Sequence, residues 1–209
     1  FLILVIAGTI VLISVGTFIW SLRDTEIASL SDLKMNYSSK VYVEDGAGGF
    51  SEYMSFHATE NRVWVNFVDI PQQMKDAMVA IEDKRFYEHH GVDWKTTMGA
   101  VVKLASGNGG AGGSTLTQQL IKNVTGQNDV SILRKVREIF SALNLEEKYT
   151  KEEILEYYLN LVNYGSGTNG VQAAANLYFG KDIQECSIAE CASIAGITQN
   201  PYYFTPVVF

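Results

Sequence analysis

Four blocks of the chain carry side chains whose types and spacing suit chemistry. The first is Glu82-Asp83-Lys84-Arg85-Phe86-Tyr87-Glu88-His89-His90-Gly91-Val92-Asp93. Met74, Met78 and Ile81 form an i, i+4, i+7 apolar stripe just before it. That puts Glu82 at the edge of a helix's apolar face. Partial desolvation there suits a carboxylate to general-base work, while Lys84 and Arg85 pull the other way. The second block is Gly112-Gly113-Ser114-Thr115-Leu116-Thr117-Gln118-Gln119-Leu120-Ile121-Lys122-Asn123. A glycine loop that opens a helix presents free backbone N–H groups to an anion. The order Gly-Lys-Ser/Thr of a P-loop is absent.

The third block is Arg134-Lys135-Val136-Arg137-Glu138. Its spacing places Ile132, Val136, Ile139 and Leu143 on one helix face, and Arg134, Arg137 and Glu138 on the other. Three cations around one carboxylate balance its charge and could grip a diphosphate. An ordinary solvated salt-bridge face has the same pattern. The fourth block, Lys151 to Asn160, places Glu153, Glu156 and Asn160 at i, i+3, i+7 beside Leu155 and Leu159. Alone it reads as an amphipathic structural helix.

The elements that must position these blocks are mostly helical. Thr115-x-x-Gln118, Thr150-x-x-Glu153 and Ser187-x-x-Glu190 have capping-box spacing and mark three helix starts. The third box puts Cys186 and Cys191 at the hydrophobic-staple positions, where two small apolar residues pack. Residues 107–113 are six parts Gly or Asn in seven and read as a flexible loop. Ahead of these, Lys40–Val43 and Arg62–Val65 flank Glu44-Asp45-Gly46 and read as a small hairpin.

The first twenty residues, Phe1 to Trp20, carry no charge and include fifteen apolar ones. That is the length of a membrane-spanning helix, and Trp20 suits its interfacial end. A cleaved signal peptide is the competing reading. Arg23 to Lys34 is not a positive flank, which favours an extracytoplasmic location for the rest. With no Met in front and an apolar end at Phe209, the chain reads as an internal piece of something longer.

The 209 residues have room for one sizeable domain plus extras. A net charge of −7 argues against a general nucleic-acid binder. Two cysteines make no disulfide framework, and neither they nor His57, His89 and His90 have zinc-ligand spacing.

Taken in order, the blocks resemble the peptidoglycan glycosyltransferase domain of class A penicillin-binding proteins and of monofunctional transglycosylases. The motifs that carry the resemblance are Glu82-Asp83-x-x-Phe86-x-x-His89-x-Gly91, Gly113-Ser114-Thr115-Leu116-Thr117-Gln118-Gln119-Leu120-x-Lys122-Asn123, Arg134-Lys135-x-x-Glu138, Ile154-Leu155-Glu156-x-Tyr158-Leu159-Asn160 and Ala173-Ala174-x-x-x-Tyr178-Phe179-Gly180-Lys181. The resemblance is dense from about Asn61 to Pro206, and departs from the usual pattern at Asn163-Tyr164-Gly165.

It implies a mainly α, lysozyme-like glycosyltransferase fold with a small membrane-associated lobe, a short β segment and an N-terminal transmembrane helix. The division it implies is an anchor at 1–22, a linker with the β segment at 23–60, and a glycosyltransferase domain at 61–209. The implied reaction polymerises lipid II, with Glu82 as general base and Glu138 as second carboxylate. By resemblance, Lys122, Arg134, Lys135 and Lys148 lie near the lipid diphosphate. Ser114, Gln118 and Gln119 shape the donor site, and Asp83, Phe86, His89, Gly91 and Asn160 belong to the structural motifs. The resemblance leaves metal dependence open: it makes no metal a certain requirement, and Glu138 leaves room for a divalent cation, Mg or Mn. The implied partners are lipid II, the growing glycan strand, membrane lipid and other cell-wall synthesis proteins, at the outer face of a bacterial cytoplasmic membrane. Two other readings compete: a lysozyme-like lytic enzyme that cleaves glycan, and a non-catalytic membrane scaffold.

Overall fold

The computed structural model describes residues 2–21, 30, 39–44, 49–56, 63–106, 112–126 and 131–206. It is mainly α. The elements run α1 (Leu2–Ser21), β1 (Ser39–Glu44), β2 (Phe50–Phe56), α2 (Gln72–Glu82), α3 (Trp94–Ala105), α4 (Leu116–Thr125), α5 (Ile132–Lys148), α6 (Lys151–Leu161), α7 (Val171–Phe179), α8 (Ile188–Ile197) and α9 (Pro201–Phe204).

All three expected capping boxes form. The Thr115, Thr150 and Ser187 side chains each accept the N3 backbone N–H, and Gln118, Glu153 and Glu190 answer at the cap residue. These starts fix where α4, α6 and α8 begin. Helix α4 is the hub of the core and packs on both α5 and α6, while α2 packs on α8. Met74 and Met78 of α2, Leu116 and Leu120 of α4, Leu145 of α5 and Leu155 and Tyr158 of α6 are fully enclosed or nearly so. Cys186 and Cys191 are both free and buried, with Cys191 Sγ 3.8 Å from the Cys186 carbonyl oxygen. The staple packing expected there is what forms.

Three expectations need correcting. Ile81 does not complete the α2 stripe: it is 40% exposed, because α2 ends one residue later and its last turn borders open space. On α5, Ile132 is 86% exposed, being the first residue of its helix. The hairpin pairs β1 with Phe50–Phe56 in antiparallel register from Ser39↔Phe56 to Glu44↔Phe50, with an irregularity at Val41/Tyr42. Its second strand is therefore the segment nearest the turn and not Arg62–Val65, as a short hairpin loop requires. Val65 instead pairs with a side chain. Its N–H donates to Asn160 Oδ1 and its C=O accepts from Asn160 Nδ2, both at 2.8 Å.

Helix α1 is continuous for 20 residues. Side chains are described for only part of it, and among the described residues no helix is long and apolar enough to cross a membrane. The expected loop at 107–113 falls outside the described residues except for Gly112 and Gly113.

Candidate active site

Glu82 is the last residue of α2, and its carboxylate is held by three side-chain donors. Gln119 Nε2 donates to Oε2 at 2.8 Å. Thr198 Oγ1 lies 2.6 Å and Gln199 Nε2 2.8 Å from Oε1. The donors come from α4 and from the turn after α8. A carboxylate has about four acceptor positions, so three donors orient it and leave one for a ligand. The amide of Gln119 is itself oriented, because Tyr158 OH donates to its Oε1 at 2.9 Å. Burial, and then the charge of Glu82, push the Tyr158 phenol well above its ordinary range, so it remains a donor.

The backbone beside Glu82 is pinned as firmly. Asp83 Oδ2 accepts the Leu116 N–H at 3.0 Å and His89 Nε2 at 2.9 Å. That one carboxylate ties the end of α2 to the start of α4, where the helix dipole favours negative charge. Gly91 has φ +80°, and a Cβ there would lie 2.5 Å from the Ala142 carbonyl oxygen of α5. Its own carbonyl accepts Thr115 Oγ1 at 2.6 Å. Phe86 is fully buried, with Lys151 Nζ 4.4 Å from its ring centre. Lys151 in turn pairs with Glu146 at 2.6 Å, and Thr117 donates to Glu146 at 2.5 Å. At the next turn, burial works to raise the Asp93 carboxyl. Hydrogen bonds from Arg85 and Thr96 outweigh it and hold Asp93 well below the usual carboxylate range.

The cleft in front of Glu82 has a volume of about 570 Å³. Ser114, Gln118, Gln119, Lys122, Arg134, Lys135 and Glu138 all line it, so α4 and α5 deliver their blocks to one place. Glu138 is only 7% exposed. Arg134 Nη1 binds its Oε2 at 2.5 Å, and Lys135 Nζ binds its Oε1. Lys135 also donates to Ser114 Oγ at 2.8 Å, which fastens the glycine loop to α5. Gln118 is fully buried: its Oε1 caps Thr115 N, and its Nε2 has no partner among the described residues. A second recess of about 400 Å³ shares Ile81, Glu82, Gly112, Gly113 and Ser114 with the first. Glu82 thus stands where two recesses meet.

Not every expected residue arrives here. Lys148 is exposed at the far end of α5 and does not line the cleft. Ten residues of helix at 1.5 Å each carry it about 15 Å along the axis from Glu138. Arg137 is exposed and Glu138 is gripped by Lys135 instead, since i−3 and i−4 neighbours share a face and the adjacent residue does not. Asn160 lies away from the cleft and holds Val65. Glu156 beside it accepts Trp64 Nε1 at 3.0 Å and Phe67 N at 2.7 Å. Glu156 and Asn160 of the fourth block hold the Trp64–Phe67 segment, while Tyr158 of the same block reaches the cleft through Gln119. Thr198, Gln199 and Tyr158 are contacts of the site that the motif spacing did not single out as such.

A divalent cation does not suit Glu138, because both its oxygens already face cations. Among the described residues no three His, Cys, Asp or Glu side chains form a metal-binding group.

One cleft of this helical domain thus holds two carboxylates, Glu82 and Glu138, and three cations, Lys122, Arg134 and Lys135. The profile of the transglycosylase family matches residues 50–208, and the chain belongs to that family. The resemblance to peptidoglycan glycosyltransferases is thereby borne out. The chain is 41% identical over 177 residues to penicillin-binding protein 1F of Bacillus subtilis, covering 84% of this chain and 24% of that protein. Penicillin-binding protein 1A of Escherichia coli is 39% identical over 183 residues, covering 87% and 21%. Penicillin-binding protein 1A of Clostridium perfringens strain 13 is 40% identical over 200 residues, covering 93% and 29%. The chain thus spans about a quarter of the length of these curated relatives.

Proposed function

We propose that this chain polymerises lipid II into β-1,4-linked glycan strands. Glu82 takes the proton of the acceptor sugar's 4-hydroxyl as that oxygen attacks the donor's anomeric carbon. The linkage inverts from α to β, and undecaprenyl diphosphate leaves. A diphosphate needs no protonation to depart, so cations replace the general acid of a glycosidase. Lys122, Arg134 and Lys135 supply them, Glu138 orients Arg134 and Lys135, and Ser114, Gln118 and Gln119 shape the donor side.

The observation that carries this reading is one cleft holding both an oriented carboxylate with a remaining acceptor position and three cations. A neutral glycan has no use for those cations, which weighs against a lytic enzyme.

In this reading residues 61–209 form the lysozyme-like catalytic domain, 23–60 the linker and 1–22 a single-pass anchor. The domain sits on the outer face of a bacterial cytoplasmic membrane. Two features support the anchor: the charge-free sequence of α1, and its hydroxyls. Those of Thr9, Thr17 and Ser21 donate to carbonyls three residues back, which satisfies them without water. The small membrane-associated lobe falls at α3, whose Trp94, Met98 and Val102 are all more than half exposed at i, i+4, i+8.

The test is to incubate the chain with lipid II in detergent and size the glycan. Products that lengthen with time support the polymerase. Shortening of preformed glycan with no growth on lipid II would replace it with the lytic reading.

A further inference from the structure

Two of the three donors on Glu82 come from residues 116 and 117 positions later in the chain. They differ in kind. Gln199 and Gln119 present amide N–H groups, which donate in one direction only. Thr198 presents a hydroxyl with a single proton and two acceptors within reach. Its Oγ1 is 2.6 Å from Glu82 Oε1 and 2.8 Å from the carbonyl oxygen of Ala195. An ionised carboxylate and a peptide carbonyl are both acceptors only, so the one proton serves one of them at a time.

We infer that Thr198 is the positioning residue of the base, its hydroxyl turning between Glu82 and Ala195 as the carboxylate gains a proton. This rests on the reading of Glu82 as general base. While Glu82 is charged, the charge-assisted bond is the stronger one, and Thr198 donates to it. The sugar hydroxyl approaches Oε2, where Gln119 uses one acceptor position and leaves one. Its proton moves to Oε2 and the oxygen's electron pair forms the bond to the anomeric carbon. The bond from that carbon to the diphosphate breaks, with its pair staying on the diphosphate. Neutral Glu82 is then a poorer acceptor than the Ala195 carbonyl, so the Thr198 proton swings to Ala195. Thr198 keeps its own proton throughout, and no heavy atom has to move. The grip on Glu82 is firm while it must receive the proton and relaxed once it must hand that proton on.

The experiment compares Thr198→Val, which keeps the shape and loses the hydroxyl, with Thr198→Ser, which keeps the hydroxyl, in the full chain polymerising lipid II. Thr198 acts by fixing where the carboxylate points, and misplacing a positioned group costs about 10- to 100-fold in rate. Thr198→Val should lower kcat by that factor with KM within about twofold, and Thr198→Ser should restore kcat to within about threefold. Thr198→Ala, which strains nothing, should match Val and guards against misfolding of the Val variant. In a Glu82→Gln background the Val change should have no further effect on residual activity, because the pair acts as one unit. Parental kcat in both Val and Ala, equal loss in Val and Ser, or an additive loss in the Glu82→Gln background would each overturn the inference. Full activity of Glu82→Gln itself would instead overturn the base reading on which it rests.

Discussion

Removing the Asp83 carboxylate should unfasten the end of α2 from the start of α4. Asp83 is 7% exposed, and a single oxygen serves both Leu116 N–H and His89 Nε2. In Asp83→Ala both donors are left buried without a partner. His89 suffers twice, since its Nδ1 already has none among the described residues. A hydrogen bond to a charged group contributes about 1.5–3 kcal/mol, so the two together come to about 3–6 kcal/mol. Loss of negative charge at the α4 N-terminus adds about 0.5 kcal/mol. For a domain of this size, 1 kcal/mol moves the melting temperature by about 2–4 °C. Asp83→Ala should therefore melt at least about 6 °C and up to about 25 °C below the parent. Asp83→Asn keeps one acceptor oxygen in place and loses only the charge, so it should fall between them. Thermal melts followed by circular dichroism at 222 nm in one detergent read all three. An Asp83→Ala chain that melts within 2 °C of the parent, on the order of a 1 kcal/mol effect at most, would refute the tether and this assignment of its strength.

Tyr158→Phe keeps the ring and removes the proton that orients Gln119. Its kcat should fall about tenfold in a lipid II polymerisation assay, in line with about 1–1.5 kcal/mol for one neutral hydrogen bond. Gly91→Ala must place a Cβ 2.5 Å from the Ala142 carbonyl at φ +80°. Backbone strain of about 1–2 kcal/mol and overpacking of about 1–3 kcal/mol should together lower the melting temperature by roughly 4–20 °C. The Asp93 carboxyl is held below its ordinary value of 3.8 in the folded chain. The unfolded chain thus binds the proton first as pH falls, so this contribution is complete above about pH 5 and drains away below the ordinary value. Melting temperature against pH should drop below about pH 4, and Asp93→Asn should flatten that part of the curve.

Much of this domain is written in short-range spacing, and that part was legible. A capping box involves residues three apart, so Thr115, Thr150 and Ser187 announce their helices without any tertiary knowledge. The Arg134–Glu138 pair follows from helical geometry, whereas the sequence reading sets Arg137 beside Glu138 in the place that Lys135 takes. The common cleft of α4 and α5 is implied by the family resemblance rather than by spacing. What spacing cannot give is the partner from a distant element. Thr198 and Gln199 reach Glu82 only because α8 packs on α2. The only local sign is that a ten-residue helix starting at Ser187 must end just before them. Ile81 shows the opposite failure. Its periodicity is apolar, but no described neighbour covers it, and periodicity reports a face rather than what lies against that face. Lys148 has the right charge on the right helix, and the rise of the helix carries it past the cleft. Val65 shows a third limit: an extended β-branched segment can satisfy its backbone on one asparagine side chain instead of a strand.

The central claim is that Glu82 is the base of a lipid II polymerase. The direct measurement is the initial rate of polymerisation by the parent and by Glu82→Gln, with both melting temperatures recorded. The account predicts a loss of about 1000-fold or more in rate, the scale of removing a general base together with its charge, in a variant that melts close to the parent. A folded Glu82→Gln chain that polymerises within about tenfold of the parent, below even the smallest usual effect of a general base, would contradict it.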